Sequence, residues 1–399
     1  MSEYPESVFS PRAKANRDGV VYDASKERVI YVEDMQAIEN EIISIEQDLE
    51  KFFIHSDSGP WITDDYIESI QLFKAKCSRD IKQYENFGVT MIDLPAEASD
   101  MIAIANDYTT YFFLSDGTPS RLFYFDFAND EGFLEIDLPA GSNTGSSMLV
   151  YGGDLYISFF SYPARIVKVN LSDYENVQYL DLPAGNNYAT SLTATADYLY
   201  VGLSTSPGSV VRVKISDFTY LDTTSFVSGE NYAVSLFTIY ETLFVTLYSS
   251  PGYVVALDLD TMLEVYRWSA PTGFNLPITS VSDGSYLYVG FDCAEGYIVK
   301  LKLTDLTQVS AYSSGDTPEP VSRLLWDGVD VFAIYKTSGV LTRKIKTETM
   351  IALGSLLLPV GFDYTRAAMF GHFGLMITNY GSSTSLLTGY LGDIDTAII

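Results

Sequence analysis

Asp181-Leu-Pro-Ala-Gly-Asn-Asn-Tyr-Ala-Thr-Ser-Leu192, followed by Asp197-Tyr-Leu-Tyr-Val-Gly202, Ser206-Pro-Gly-Ser209 and Val210-Val-Arg-Val-Lys-Ile215, decides how this chain is read. The pattern recurs when the sequence is shifted by 44 residues. Gly141, Gly185, Gly229, Gly273 and Gly361 fall in one column, and Glu97 and Thr317 fill its other two places. Fourteen positions later stands an apolar triplet in every copy: Tyr111-Phe-Phe, Leu155-Tyr-Ile, Leu199-Tyr-Val, Leu243-Phe-Val, Leu287-Tyr-Val, Val331-Phe-Ala and Leu375-Met-Ile. A fixed period of this length is the mark of a repeat architecture, and it precedes every other inference.

Each copy reads as four short strands. In the copy from Gly185 they fall at about Ala189–Thr195, Tyr198–Leu203, Val210–Ile215 and Tyr220–Phe226. All are rich in β-branched and aromatic residues and bounded by Gly, Pro, Asn, Asp and Ser. In the third strand Val211, Val213 and Ile215 alternate with Arg212 and Lys214, which predicts one buried and one partly solvated face. Four-stranded units at this spacing predict a seven-bladed β-propeller over 89–399. The segment Val89–Leu94 resembles the fourth strands Phe133–Leu138 and Val177–Leu182, and all three run into Asp-Leu-Pro-Ala. The last copy keeps only a stub, Ala397–Ile399, so Val89–Leu94 is expected to complete its blade. A parallel solenoid is the rival, but its two open ends need polar caps.

The tandem copies resemble surface-layer and YVTN-type propeller repeats, most closely in Leu375-Met-Ile-Thr-Asn-Tyr-Gly-Ser-Ser-Thr384 and Tyr286-Leu-Tyr-Val-Gly290. That resemblance implies a fold and leaves function open, because propellers serve as adhesins, scaffolds and enzymes alike.

Upstream, 1–32 reads as an extended arm with a turn at Ala15-Asn-Arg-Asp-Gly19. The segment 33–88 reads as a helical stalk. Met35, Ile38, Ile42, Ile45, Leu49 and Phe52 step by three and four, the seam of a coiled coil or of a helix packed on its own domain. A second helix is expected from Thr63 to about Tyr84. Ala15-Asn-Arg-Asp-Gly-Val-Val-Tyr-Asp23 and Val32-Glu-Asp-Met-Gln-Ala-Ile-Glu-Asn-Glu-Ile42 resemble N-terminal segments of tail-fibre and receptor-binding proteins of tailed viruses. The resemblance implies a virion structural protein: an arm anchored on other virion proteins, a homo-oligomer (a trimer is compatible), and a head that meets the host surface.

Composition narrows the chemistry. A net charge of −28 without a basic patch argues against nucleic acid. The two cysteines, Cys77 and Cys293, imply neither a disulfide framework nor a thiolate metal site. No apolar run has the length of a membrane span, and the N-terminus lacks the apolar core of a signal peptide. With His55 and His372 the only histidines, a His-based triad or metal cluster finds no material, and no cofactor motif occurs. Loop carboxylates Asp100, Asp116, Glu230, Asp292, Glu295, Asp316 and Glu319 leave a polysaccharide hydrolase or lyase as an alternative, and a non-viral surface scaffold is a third.

The stronger candidates are amides and rings in two loop sets that should open on one face. Asn143, Asn186, Asn187, Tyr188, Asn231, Tyr232, Phe274 and Asn275 precede first strands; Tyr162, Tyr248, Tyr253 and Tyr380 lie between second and third strands. Asn143, Asn187, Tyr188, Asn231, Tyr232, Phe274 and Asn275 are the predicted ligand contacts, for a surface glycan or protein. The competing reading packs the rings between blades and gives the amides to the turns.

Overall fold

The computed structural model describes residues 90–93, 101–107, 110–126, 133–314, 320–336, 341–357, 365–371, 374–379 and 385–389. The chain divides into two units, Met1–Glu85 and Asn86–Ile399. The arm and both expected helices lie outside the described residues, as do the Ala397–Ile399 stub, His55, His372 and Tyr380.

All described regular structure is β. After β1 (Thr90–Asp93) come β2 (Met101–Asn106), β3 (Thr110–Ser115), β4 (Leu122–Asp126) and β5 (Phe133–Ile136). Next are β6 (Gly145–Tyr151), β7 (Asp154–Phe159), β8 (Arg165–Asn170) and β9 (Val177–Asp181). The motif copy quoted above supplies β10 (Ala189–Ala194), β11 (Tyr198–Leu203), β12 (Ser209–Lys214) and β13 (Thr219–Ser225). Then follow β14 (Ala233–Ile239), β15 (Thr242–Leu247), β16 (Tyr253–Asp258) and β17 (Glu264–Ser269). The next four are β18 (Pro277–Ser282), β19 (Tyr286–Phe291), β20 (Ile298–Lys302) and β21 (Gln308–Tyr312). The chain continues with β22 (Val321–Trp326), β23 (Val331–Tyr335), β24 (Leu341–Lys346) and β25 (Ile351–Leu357), then β26 (Thr365–Gly371), β27 (Gly374–Asn379) and β28 (Ser385–Gly389).

These strands form seven four-stranded antiparallel sheets. Six take four consecutive strands, and the seventh is ordered β1-β28-β27-β26. The N-terminal strand therefore completes the C-terminal sheet, with Thr90 opposite Thr388 and Asp93 opposite Ser385. First strands of successive sheets lie side by side, and β26 returns to β2. The arrangement is a closed β-propeller, and the open solenoid is excluded.

Hydroxyls stitch the sheets together, because no ladder runs between them. Thr190 Oγ1 donates to the Ala233 carbonyl at 2.8 Å, and Thr193 and Thr238 share a bond of 3.0 Å. Ser235 and Ser280 are 2.9 Å apart, and Thr378 Oγ1 closes the circle on the Met101 carbonyl at 2.9 Å. Only the Thr378 bond is fully buried, and the others are part-buried.

Second strands are buried along their length, as their apolar sequences predict. Third strands keep the expected alternation from Val211 to Lys214, with Arg212 and Lys214 half-buried. Val210, Val211 and Val213 are all buried, and the register slips between Arg212 and Val213. The polar face is partly covered by neighbouring turns. Arg212 is paired with Asp222 at 2.9 Å and reaches the Leu259 and Asp260 carbonyls of the next sheet at 3.4 Å. Lys300 is buried, donates to the Thr347 carbonyl at 2.7 Å and lies 4.0 Å from the Tyr286 ring centroid. Desolvation lowers the Lys300 pKa, so the carbonyl and the ring hold a charge taken out of water.

The turn between third and fourth strands carries a second repeated device. Tyr174, Phe218, Met262, Leu306 and Met350 stand 44 residues apart, all with φ between 53° and 58°. Each inserts an apolar side chain against the preceding sheet. Tyr174 stacks on Tyr124 at 4.7 Å, and Phe218 meets Tyr156 at 6.2 Å. Met262 joins the cluster of Tyr200, and Leu306 that of Phe244.

The glycine of the Tyr-Val-Gly triplet has a steric cause. A Cβ on Gly202 would stand 2.5 Å from the Ala233 carbonyl oxygen and closer still to Ser191 Oγ. That carbonyl is the acceptor of the Thr190 and Ser191 hydroxyls. Gly202→Ala is expected to destabilise by about 1–3 kcal/mol, as overpacked cores do. Urea denaturation of the two proteins checks this, and equal midpoints would show that the seam yields.

Candidate functional site

The two loop sets do meet on one face, held by a backbone bond repeated in four sheets. Thr144, Tyr188, Tyr232 and Leu276 donate their N–H groups to the carbonyls of Gly117, Ser161, Thr205 and Ser249, at 2.8–3.0 Å. Their own carbonyls accept from Phe160, Ser204, Tyr248 and Asp292, at 2.8–2.9 Å. All four have φ between 55° and 61°, a conformation unfavourable for large residues. The bond pair fixes where each side chain leaves the backbone.

The predicted contacts then separate into three groups. Asn231 and Asn275 are turn clips: Ser206 Oγ donates to Asn231 Oδ1 at 2.8 Å, and Ser250 Oγ to Asn275 Oδ1 at 2.9 Å. Asn186 is also engaged, accepting from Thr223 Oγ1 at 2.9 Å. Phe274 is half-buried and packs against the core: it stacks on Tyr297 at 4.1 Å and meets the Phe291 edge at 5.7 Å. Tyr253 likewise packs within a sheet interface.

Asn143, Asn187, Tyr188 and Tyr232 remain. Asn143 is half-buried, with exposed Thr118 at the clip position. Asn187 Oδ1 is buried, and no described donor reaches it. Tyr188 is half-buried and stacks on Phe160 at 4.7 Å, with Tyr162 at 6.3 Å. Phe160 is 41% and Tyr162 76% exposed. Tyr232 is 37% exposed, and its ring lies 6.5 Å from Tyr248.

Phe160 is the residue that sequence reasoning missed. Its signal was positional: Asp116, Ser204, Tyr248, Asp292, Lys336 and Tyr380 occupy the same place in the other repeats, each with a polar group, and Phe160 alone has none.

Two of the loop carboxylates are already committed. Glu230 is 3% exposed and ion-paired with Arg267, which also grips Glu264. Asp292 accepts from Lys336 Nζ at 2.6 Å and from the Tyr248 hydroxyl at 3.2 Å. Burial first, then the Asp292 charge, push the Tyr248 phenol up to about 12, so it stays a donor. Glu295 is exposed, Asp116 half-buried, and Asp100, Asp316 and Glu319 lie outside the described residues. Among the described residues no group of three or more His, Cys, Asp or Glu could hold a metal ion. No helix there is long and apolar enough to cross a membrane.

First strands line a central cavity of about 260 Å³. Ser147, Thr190, Ser191, Ser235, Thr279 and Arg323 face it. Several of these hydroxyls are the stitches between sheets, so the cavity is polar through its architecture.

Comparison with known proteins agrees with this architecture and adds nothing finer. No family model matches the chain, and no curated protein matches it. Among solved structures it is similar to a chain of the mitotic checkpoint complex, with a TM-score of 0.61 at 9% identity over 77% of this chain and 94% of that one. The U3-55K structure gives 0.61 at 12% identity, over 76% of this chain and 100% of that one. The WD40 repeats of RRP9 give 0.60 at 12%, over 75% and 97%. The chain is a β-propeller by this likeness as well as by its sheets; identities this low carry the fold alone.

Proposed function

We propose that this propeller is the receptor-binding head of a virion-attached fibre or spike subunit. The observation that carries the binding role is the ring cluster Phe160, Tyr162 and Tyr188. It puts large apolar surface into solvent on a face otherwise tied down by hydrogen bonds and ion pairs. Exposed rings beside amides are the composition of recognition loops. The virion setting rests on the N-terminal segments that resemble tail-fibre proteins, and the Met35–Phe52 seam suits an oligomer. Several heads on one particle turn weak contacts into firm attachment. The ion pairs on Glu230 and Asp292 favour this reading over hydrolysis by those two carboxylates.

The test uses labelled full-length chain and a panel of bacterial cells. Binding to a subset of strains is expected. Phe160→Ser with Tyr162→Ala should lower that binding at least tenfold at unchanged thermal midpoint. Binding of the wild type to no strain or to every strain alike, or undiminished binding by the variant, overturns the proposal.

A further inference from the structure

The repeats act as controls for one another, and the loop at Tyr162 departs from the two copies that follow it against its own stability. At the clip position, 25 residues before the loop asparagine, stand Ser206 and Ser250, whose hydroxyls satisfy Asn231 and Asn275. The corresponding residue for Asn187 is Tyr162. No hydroxyl reaches Asn187 Oδ1, which is left buried and unpaired. A buried polar atom without a partner is costly, and a serine at 162 would relieve it. The tyrosine gives little packing in return: it is 76% exposed, and its ring contact is a tilted one with Tyr188 at 6.3 Å. Two positions earlier Phe160, 41% exposed, stands where the next copy has Ser204. Departures from local consistency without compensation mark sites kept for a purpose other than folding.

Charge narrows what the rings receive. The loop's cation, Arg165, is fully used: it pairs with Asp181 at 2.7 and 3.0 Å, donates to the Ala140 carbonyl at 2.6 Å, and lies over Tyr179. Ser161 Oγ is spent on Arg165 N–H and the Pro163 carbonyl. What the loop offers is therefore aromatic face and phenol edge, without unpaired charge. From this we infer that Phe160, Tyr162 and Tyr188 form a stacking subsite for a neutral pyranose of a surface glycan. The C–H face of such a sugar covers a ring while its hydroxyls stay in water. This inference rests on the receptor-binding reading and names the ligand class for it.

The experiment measures binding of the full chain to immobilised neutral oligosaccharides, namely maltohexaose, cellohexaose and the N-acetylglucosamine hexamer. Parallel arms carry sialylated and uronate oligosaccharides. Binding to at least one neutral sugar is expected, with the acidic arms weaker. Tyr162→Ser is the decisive variant, because it restores the clip found in the neighbouring copies. It should unfold at the wild-type temperature or above while neutral-sugar binding falls about tenfold or more. Loss of stability would show that Tyr162 is structural and overturn the inference, as would unchanged sugar binding. Strain-selective cell binding by a wild type that prefers acidic sugars, or that retains no sugar and loses its cell target to protease, sinks the neutral-pyranose class alone. Absence of cell binding as well removes the receptor-binding reading with it.

Discussion

Replacing Leu306 with alanine is expected to destabilise the propeller by about 3 kcal/mol, within the range seen for buried leucines. Leu306 is 1% exposed and sits among Phe244, Leu287, Val289 and Leu301, so its loss opens a void between two sheets. Its backbone is fixed at φ 58° by the bond from its N–H to the Lys302 carbonyl at 2.9 Å, so the chain cannot retract to fill the space. The thermal midpoint should fall by about 2–4 °C for each kcal/mol. The matching change at Tyr240 is a control. Tyr240 also has positive φ (52°) but is 82% exposed, and Tyr240→Ala should move the midpoint little. Equal shifts at the two sites would mean that backbone strain, rather than insertion into the neighbouring sheet, governs these positions.

Arg267→Met should also cost about 3 kcal/mol, the lower end for stripping a buried charge of its partner. Glu230 is almost inaccessible, and its ion pair with Arg267 spans the loop before β14 and the outer strand β17. Methionine keeps the stem of the arginine but leaves the carboxylate unpaired. The double variant Glu230→Gln with Arg267→Met should recover most of the loss, because the repeat does not need a carboxylate there. Copies at that column carry Ser142, Asn186 and Phe274, and the backbone carbonyl of each accepts from the neighbouring loop as Glu230 does. Chemical denaturation of the single and double variants measures the coupling. A single variant within 0.5 kcal/mol of wild type, about the size of a surface change, would show the pair to be solvated.

Strand order within each sheet was legible because the signal is local and periodic. Tyr198–Leu203 is bounded by turn residues on both sides and repeated by Leu243-Phe-Val and Leu287-Tyr-Val, so strand type, length and spacing support one another. The partner of Val89–Leu94 was readable as well, since Asp-Leu-Pro-Ala labels the end of a fourth strand wherever it occurs. The faces of strand three were read as they stand at Val211–Lys214, whereas the burial of Lys300 was not foreseen. Alternation says which residues share a face, and says nothing of the neighbouring turn that covers Arg212 and Lys300.

By itself the sequence determined the period, the strands within it and the end of the sheet series that the N-terminal strand must complete. It also placed amides and rings in loops that share a face, because antiparallel strands return the chain to the same edge every 44 residues. Only the tertiary structure decided which of those residues are spent and which are offered. Asn231, Asn275 and Phe274 look like Asn187 and Tyr188 in sequence, yet Ser206 and Ser250 donate to the two amide oxygens and Tyr297 stacks on the phenyl ring. Their partners lie 23–25 residues away on another loop, and a hydrogen bond or a ring contact is a matter of ångströms. A repeat fixes that position to within a residue, and the packing of neighbouring sheets fixes the rest.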